Sequence, residues 1–264
     1  MLSFEEKKRK VSRFNIIDDV FFQKMVEDKG VCEEIIQTIL NDKTISVIEN
    51  NPQEQLKNLQ GRSVILDVLC KDQNGRFFNV EVQKADNDNH IRRVRYNGAC
   101  ATTNIVATGQ KFELVPDVIV IYISDFDLFG QGKTMYRATM KLDDTYEEIE
   151  DGFEAYYVNT AVNDNSLIAE LMKCFKNSKY LTSKNFPKCF LRNNFLKENE
   201  KGVSSVCRIM EEERLEGKLE GKLENLLDLV KDGILTEDAA IQRSGVTPEE
   251  YFSFKKEWKK SKES

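Results

Sequence analysis

The sequence predicts a mixed α/β core followed by a helical C-terminal region, and three observations carry that class. Two β-rich runs, Ser63 to Lys71 and Arg76 to Lys84, flank Asp72-Gln73-Asn74-Gly75, the strongest hairpin signal in the chain. Segments with apolar residues at helical spacing lie on both sides of that hairpin. The apolar run from Val118 to Ile123 does not alternate, which suits a strand covered on both faces. With 264 residues, 40% of them hydrophobic and 32% charged, the chain can bury one large core and carry an appendage, so a peptide, a disulfide miniprotein and a disordered tail are excluded.

From the N-terminus, Phe21, Phe22, Met25 and Val26, then Ile35, Ile36, Ile39 and Leu40, predict two helices broken at Lys29-Gly30. The hairpin follows, and His90 to about Thr108 reads as a helix carrying Arg92, Arg93, Arg95 and Tyr96. Val118 to Ile123 is the central strand, and the alternation from Met135 to Leu142 predicts a further one. After Asn163 the chain turns helical and locally basic. Lys173 to Lys197 holds seven Lys or Arg and no acid, interleaved with Phe175, Tyr180, Phe186, Phe190 and Phe195. Such a stretch reads as core aromatics with solvated lysines, or as a surface for a phosphate backbone.

From about Glu211 the repeated Leu-Glu-Gly-Lys places Leu215, Leu219 and Leu223 on a drifting helical stripe, suited to self-association or to a single solvated helix. A boundary near residue 200 therefore separates a domain over residues 1–200 from a helical extension over 201–264. Thr236 to Glu250 predicts a helix, a stop at Gly245, a cap at Thr247 with Pro248 opening the next helix, and a packing hairpin rather than a DNA-reading pair, given its acidic first helix.

Composition narrows the function classes. There are 39 Lys or Arg against 45 Asp or Glu, a formal charge of −6, so any contact with a polyanion must come from local basic patches. Six widely spaced Cys without a CxxC pair and an N-terminus lacking an apolar signal core suggest reduced thiols and a cytoplasmic setting. No apolar run approaches the roughly 20 residues of a membrane helix. Gly130-Gln131-Gly132-Lys133-Thr134 resembles a phosphate loop, but Asp127 stands where its first Gly belongs and the segment that follows alternates like a strand. The single His90 excludes a His-rich zinc site and reads as a surface loop residue.

Asp67 on the first hairpin strand and Glu81 and Gln83 on the second are the informative polar residues, because a carboxylate inside an apolar strand is costly without a partner. A two-residue loop at Asn74-Gly75 would put Asp67 opposite Val82, and the two acids would diverge. A three-residue loop, with Gly75 in the left-handed position, would put Asp67 directly opposite Glu81. Sequence chemistry allows both; we predict the second, because paired acids suit a shared hard cation such as Mg²⁺ or Mn²⁺. Such a cation could orient a water and neutralise a phosphodiester oxygen, with Gln83 hydrogen-bonding either.

The segment from Arg62 to Asp86, with Asp67, Gly75, Glu81 and Gln83, followed by His90 to Ala99 and Leu114 to Phe126, resembles the recombination-promoting nucleases, also described as putative transposases, of the PD-(D/E)XK superfamily. Asp19 and Phe22 match that family's opening Asp-x-x-Phe helix, and the Glu-Gly-Lys repeats resemble its C-terminal region. Leu66 precedes Asp67 where the superfamily name carries Pro, and Asn97 stands where members often have a second aromatic. The resemblance implies a restriction-endonuclease-like sheet flanked by helices and a Mg²⁺-dependent DNA endonuclease. It makes Asp67 and Glu81 metal ligands, with Asp19 as a further acid, and puts Gln83 in the place of the superfamily's Lys. Arg93 and Tyr96 would contact phosphate, and the C-terminal helix would support a homodimer. The alternative is a non-catalytic DNA-binding or protein-assembly module on the same fold.

Overall fold

A computed structural model describes residues 3–57 and 63–262. The chain divides into two compact units between Val206 and Cys207. The first opens with α1 (Phe4–Val11), started by a Ser3–Glu6 capping box. α2 (Asp19–Met25) and α3 (Lys29–Ile39) follow. The break between them falls ahead of Lys29-Gly30, because the Asp28 carboxylate accepts the Gly30 N–H at 2.8 Å and makes both residues the first turn of α3. Phe21, Phe22, Met25, Ile35, Ile36 and Ile39 are buried, as their spacing predicts.

Among the described residues six strands form one mixed sheet: β1 (Val47–Leu56), β2 (Val64–Asp72), β3 (Phe77–Gln83), β4 (Val118–Ser124), β5 (Met135–Ala138) and β6 (Phe153–Asn159), in the spatial order β1-β2-β3-β4-β6-β5. β1, β2 and β3 pair antiparallel, β3, β4 and β6 pair parallel, and β5 returns antiparallel at the far edge. All seven residues of β4 are buried, so the sheet is covered on both faces at its centre. Neither β1 nor β6 follows from the sequence patterns above. The strand expected over Met135 to Leu142 stops at Ala138, with one further bridge from Lys141 to Glu148.

α4 (His90–Ile105) lies over the face that carries Val118, Val120 and Tyr122. Gly98 permits the close approach: a Cβ there would stand 2.3 Å from the Phe153 ring. α5 (Leu167–Lys176) and α6 (Pro187–Glu198) pack with the N-terminal helices, and Phe175 of α5 and Phe186, which precedes α6, are core, which fulfils the plainer reading of the basic stretch for those two rings. Cys32, Cys70, Cys100, Cys174 and Cys189 are buried and carry no disulfide.

α7 (Glu200–Lys231) begins well before Glu211, where the leucine repeat starts. In the second unit its Leu223, Leu226 and Leu227 pack with Ala240 of α8 (Glu237–Ser244) and with Tyr251 and Trp258 of α9 (Pro248–Lys262). Gly245 ends α8 at φ 82°, and Thr247 and Glu250 form the cap that opens α9. Among the described residues no helix is long and apolar enough to cross a membrane.

Candidate active site

The hairpin uses the three-residue loop. Val68 pairs with Val80 and Lys71 with Phe77, Asp72 N–H donates to the Arg76 carbonyl at 3.0 Å, and Gly75 sits at φ 82°. Asp72 itself is fully buried and holds the turn, its carboxylate accepting the Asn74 and Arg76 N–H groups and pairing with the Arg76 guanidinium at 2.8 Å. Continued one rung past Val68 and Val80, that register brings Asp67 to Glu81.

The ladder between β2 and β3 gives out at this rung, and the two carboxyl groups take over from it. Asp67 Oδ2 accepts the Val82 N–H at 2.8 Å, and Glu81 Oε1 accepts the Asp67 N–H at 3.3 Å. The pairing with β1 lapses at the same place: Val68 pairs with Pro52 and Leu66 with Glu54, while Gln53 between those partners adopts φ 53°. Leu66 and Leu69 consequently join one cluster under α4, although strict alternation would separate them. Local irregularity of this kind re-aims a side chain, and here it aims Asp67 at β3.

Glu81 is fully buried, and its Oε2 has no hydrogen-bond partner. The nearest cation is the Arg93 guanidinium, with Nη2 at 3.8 Å. Burial, and then the neighbouring Asp67 charge, push the Glu81 carboxyl well above its ordinary range, while Arg93, the nearby Asn79 side chain and the Asp67 N–H act the other way. Burial lifts Asp67 from 3.8 to about 7; the Val82 N–H opposes that rise, the Asp19 charge adds to it and Arg93 opposes it again. Two acids that resist ionising together, one with an orphaned oxygen, make a surround that favours an added positive charge.

Gln83, Arg93 and the end of β3 frame the pair. Arg93 Nη1 donates to Gln83 Oε1 at 3.0 Å, and Gln83 Nε2 donates to the Ala85 carbonyl at 2.8 Å. Lys84 lies just past the strand, its Nζ 2.6 Å from Asp18 Oδ1, and that contact raises the ammonium's affinity for its proton. Asp19, the exposed first residue of α2, reaches Asp67 through its charge; among the described residues no cluster of three or more His, Cys, Asp or Glu is close enough to hold a metal. Tyr96 is partly buried against the Leu69 and Cys100 cluster and also lines the groove beside Arg93. Beside Arg93, an open groove of about 830 Å³ runs along α4 between Ile65, Asp88, Arg92, Arg95 and Tyr96.

His90 is not on the surface. It is 2% exposed at the start of α4, with Nδ1 2.7 Å from the Tyr122 hydroxyl and Nε2 3.0 Å from Asp86. Tyr122 lies opposite Glu81 in the β3–β4 register and senses the charges of Arg93, Glu81 and Asp67. The one signal for this pair was a tyrosine inside an otherwise aliphatic strand. The loop after β4 is closed by its own acid, since Asp127 accepts the Phe129 and Gly132 N–H groups and the Tyr136 hydroxyl, so no anion cradle exists there and β5 follows.

Residues 17–181, more than half of the chain, match the family described as PD-(D/E)XK nuclease family transposase. No curated protein and no solved structure matches the chain. The matched span contains the whole sheet, Asp19, the carboxyl pair on β2 and β3, Gln83 and the arginines of α4. On this agreement of span, fold and paired acids, the chain belongs to the PD-(D/E)XK nuclease family transposases.

Proposed function

We propose that the protein is a divalent-metal-dependent DNA endonuclease, and the observation that carries this reading is fully buried Glu81, whose Oε2 accepts no hydrogen bond, beside the Asp67 carboxyl. The donor set suits Mg²⁺, with Mn²⁺ as an alternative, because Mg²⁺ keeps several waters and needs only one or two protein carboxylates. A bound ion would orient a water and neutralise charge on the scissile phosphate. Asp67 and Glu81 hold the ion, and Asp19 adds negative charge from α2. Gln83, oriented by Arg93, hydrogen-bonds the water or a phosphate oxygen but cannot accept its proton. Lys84, held protonated by Asp18, contributes charge rather than basicity.

Arg92, Arg93 and Arg95 line the groove that a phosphate backbone would follow, with the Tyr96 ring at its wall. The protein works in the cytoplasm in this reading. The exposed Leu215 and Leu219 of α7 provide the seam for a homodimer.

The test is nicking of supercoiled plasmid with Mg²⁺ by wild type, Asp67→Asn and Glu81→Gln. Both variants are expected to lose cleavage by at least a hundredfold, while an equal rate for all three ends the assignment of these residues. DNA binding by wild type that needs no divalent ion and leads to no cleavage would select the non-catalytic module instead, a reading favoured by the want, among the described residues, of three His, Cys, Asp or Glu close enough to hold a metal together.

A further inference from the structure

A second basic site lies away from the α4 arginines. Ser12, Arg13 and Asn15 after α1, Lys176 to Lys179 at the end of α5 and just beyond it, and Asn193, Asn194 and Lys197 of α6 line a pocket of about 460 Å³. Its charge is positive within a chain that is acidic as a whole. Of its polar wall, Glu198 is taken by an ion pair with Lys8, and Lys176 pairs with Asp125 at 3.1 Å. The side chains of Arg13 and Lys179 are exposed and make no ion pair among the described residues. Lys197 reaches in from below, its Nζ donating to the Phe14 carbonyl at 2.7 Å and to Ser178 Oγ at 2.6 Å. Asn193 is 6% exposed and belongs to the wall, its Nδ2 donating to Asn194 Oδ1 at 3.4 Å.

We propose that Arg13, Lys179 and Lys197 form a phosphate-binding pocket, separate from the carboxyl pair, that holds one phosphate group of a nucleic-acid strand. Burial lowers Lys197 to about 8, and an anion beside it would restore the charge that desolvation opposes. The pocket connects to the candidate active site: Asn15 N–H donates to Asp18 at 2.7 Å, and Asp18 pairs with Lys84 at the end of β3. A strand engaged at both places would be anchored at a fixed remove from the point of cleavage. Assignment of the phosphate to a strand rests on the nuclease reading, whereas phosphate binding itself does not.

The experiment measures oligonucleotide binding by fluorescence anisotropy in EDTA across 50 to 200 mM salt, and inorganic phosphate binding by calorimetry. The chain is compared with Arg13→Ala/Lys179→Ala and with a charge-matched control, Lys43→Ala/Lys111→Ala. For the pocket double variant the slope of log affinity against log salt is expected to flatten by about 1, the value of one phosphate contact, with the phosphate heat lost and the control unchanged. Loss of phosphate binding with an unaltered oligonucleotide slope would support the pocket but assign it to a free phosphate or nucleotide. Equal losses in pocket variant and control, or no change in either measurement, would overturn the proposal. Wild type that binds phosphate here yet never cleaves DNA would remove the nuclease reading and leave the pocket standing.

Discussion

Asp67→Asn should stabilise the metal-free protein at neutral and alkaline pH, by an amount that the geometry sets. In the folded state burial raises the Asp67 carboxyl from 3.8 to about 7. Between those values the native protein keeps a proton that the unfolded chain has released, so stability is full below about pH 4 and falls as pH rises toward 7. At roughly 1.4 kcal/mol per pH step this amounts to about 4 kcal/mol. Water at the partly exposed carboxyl and adjustment of the coupled Glu81 reduce it, and about 2 kcal/mol is expected, or ~4–8 °C in Tm for a unit of this size. The amide introduced by Asp67→Asn keeps an oxygen for the Val82 N–H and carries no charge. Calorimetric melting in EDTA should therefore show the two proteins together at pH 4 and Asp67→Asn the more stable at pH 8. Millimolar Mg²⁺ should raise the wild-type Tm and leave the variant unmoved. A variant less stable than wild type at pH 8, or a gap independent of pH, would refute the reasoning.

Three further outcomes follow. Gly75→Ala meets open space, so its cost is conformational alone, about 1–2 kcal/mol at φ 82°, read as a lower urea midpoint with an unchanged slope; an unaltered midpoint would contradict the loop assignment. Tyr122→Phe leaves buried His90 Nδ1 without its hydroxyl and should cost about 1–3 kcal/mol in urea unfolding, and a neutral result would mean that the contact contributes nothing. Leu215→Glu/Leu219→Glu should convert a homodimer into a monomer by light scattering; an unchanged dimer mass would place the seam elsewhere, and a monomeric wild type would remove it.

The parts of the molecule that were legible from sequence are those whose demands are local. Asn74-Gly75 declares a turn because Gly75 must adopt positive φ, and once the loop has three residues the meeting of Asp67 and Glu81 follows by counting. The aliphatic run of β4 announces burial on both faces. β1 was hidden because it is an edge strand whose residues are mostly polar and include Pro52, which a central strand would not tolerate. β6 was hidden because its place depends on pairing parallel to β4, a contact across the chain. The burial of His90 is likewise set by Tyr122 from a distant strand, and the pocket under Arg13 by residues of α6. The break in alternation at Asp67 could not be counted at all, since it depends on Gln53 of a strand that the pattern did not reveal.

Because the two acids also fasten β2 to β3 where the backbone rungs end, they are buttons as well as tools. Cutting either back to alanine would open the seam while it removes the chemistry, and silence from such a protein would say little about catalysis. Amide replacements keep the cloth closed, which makes them the substitutions that can separate a lost reaction from a loosened sheet.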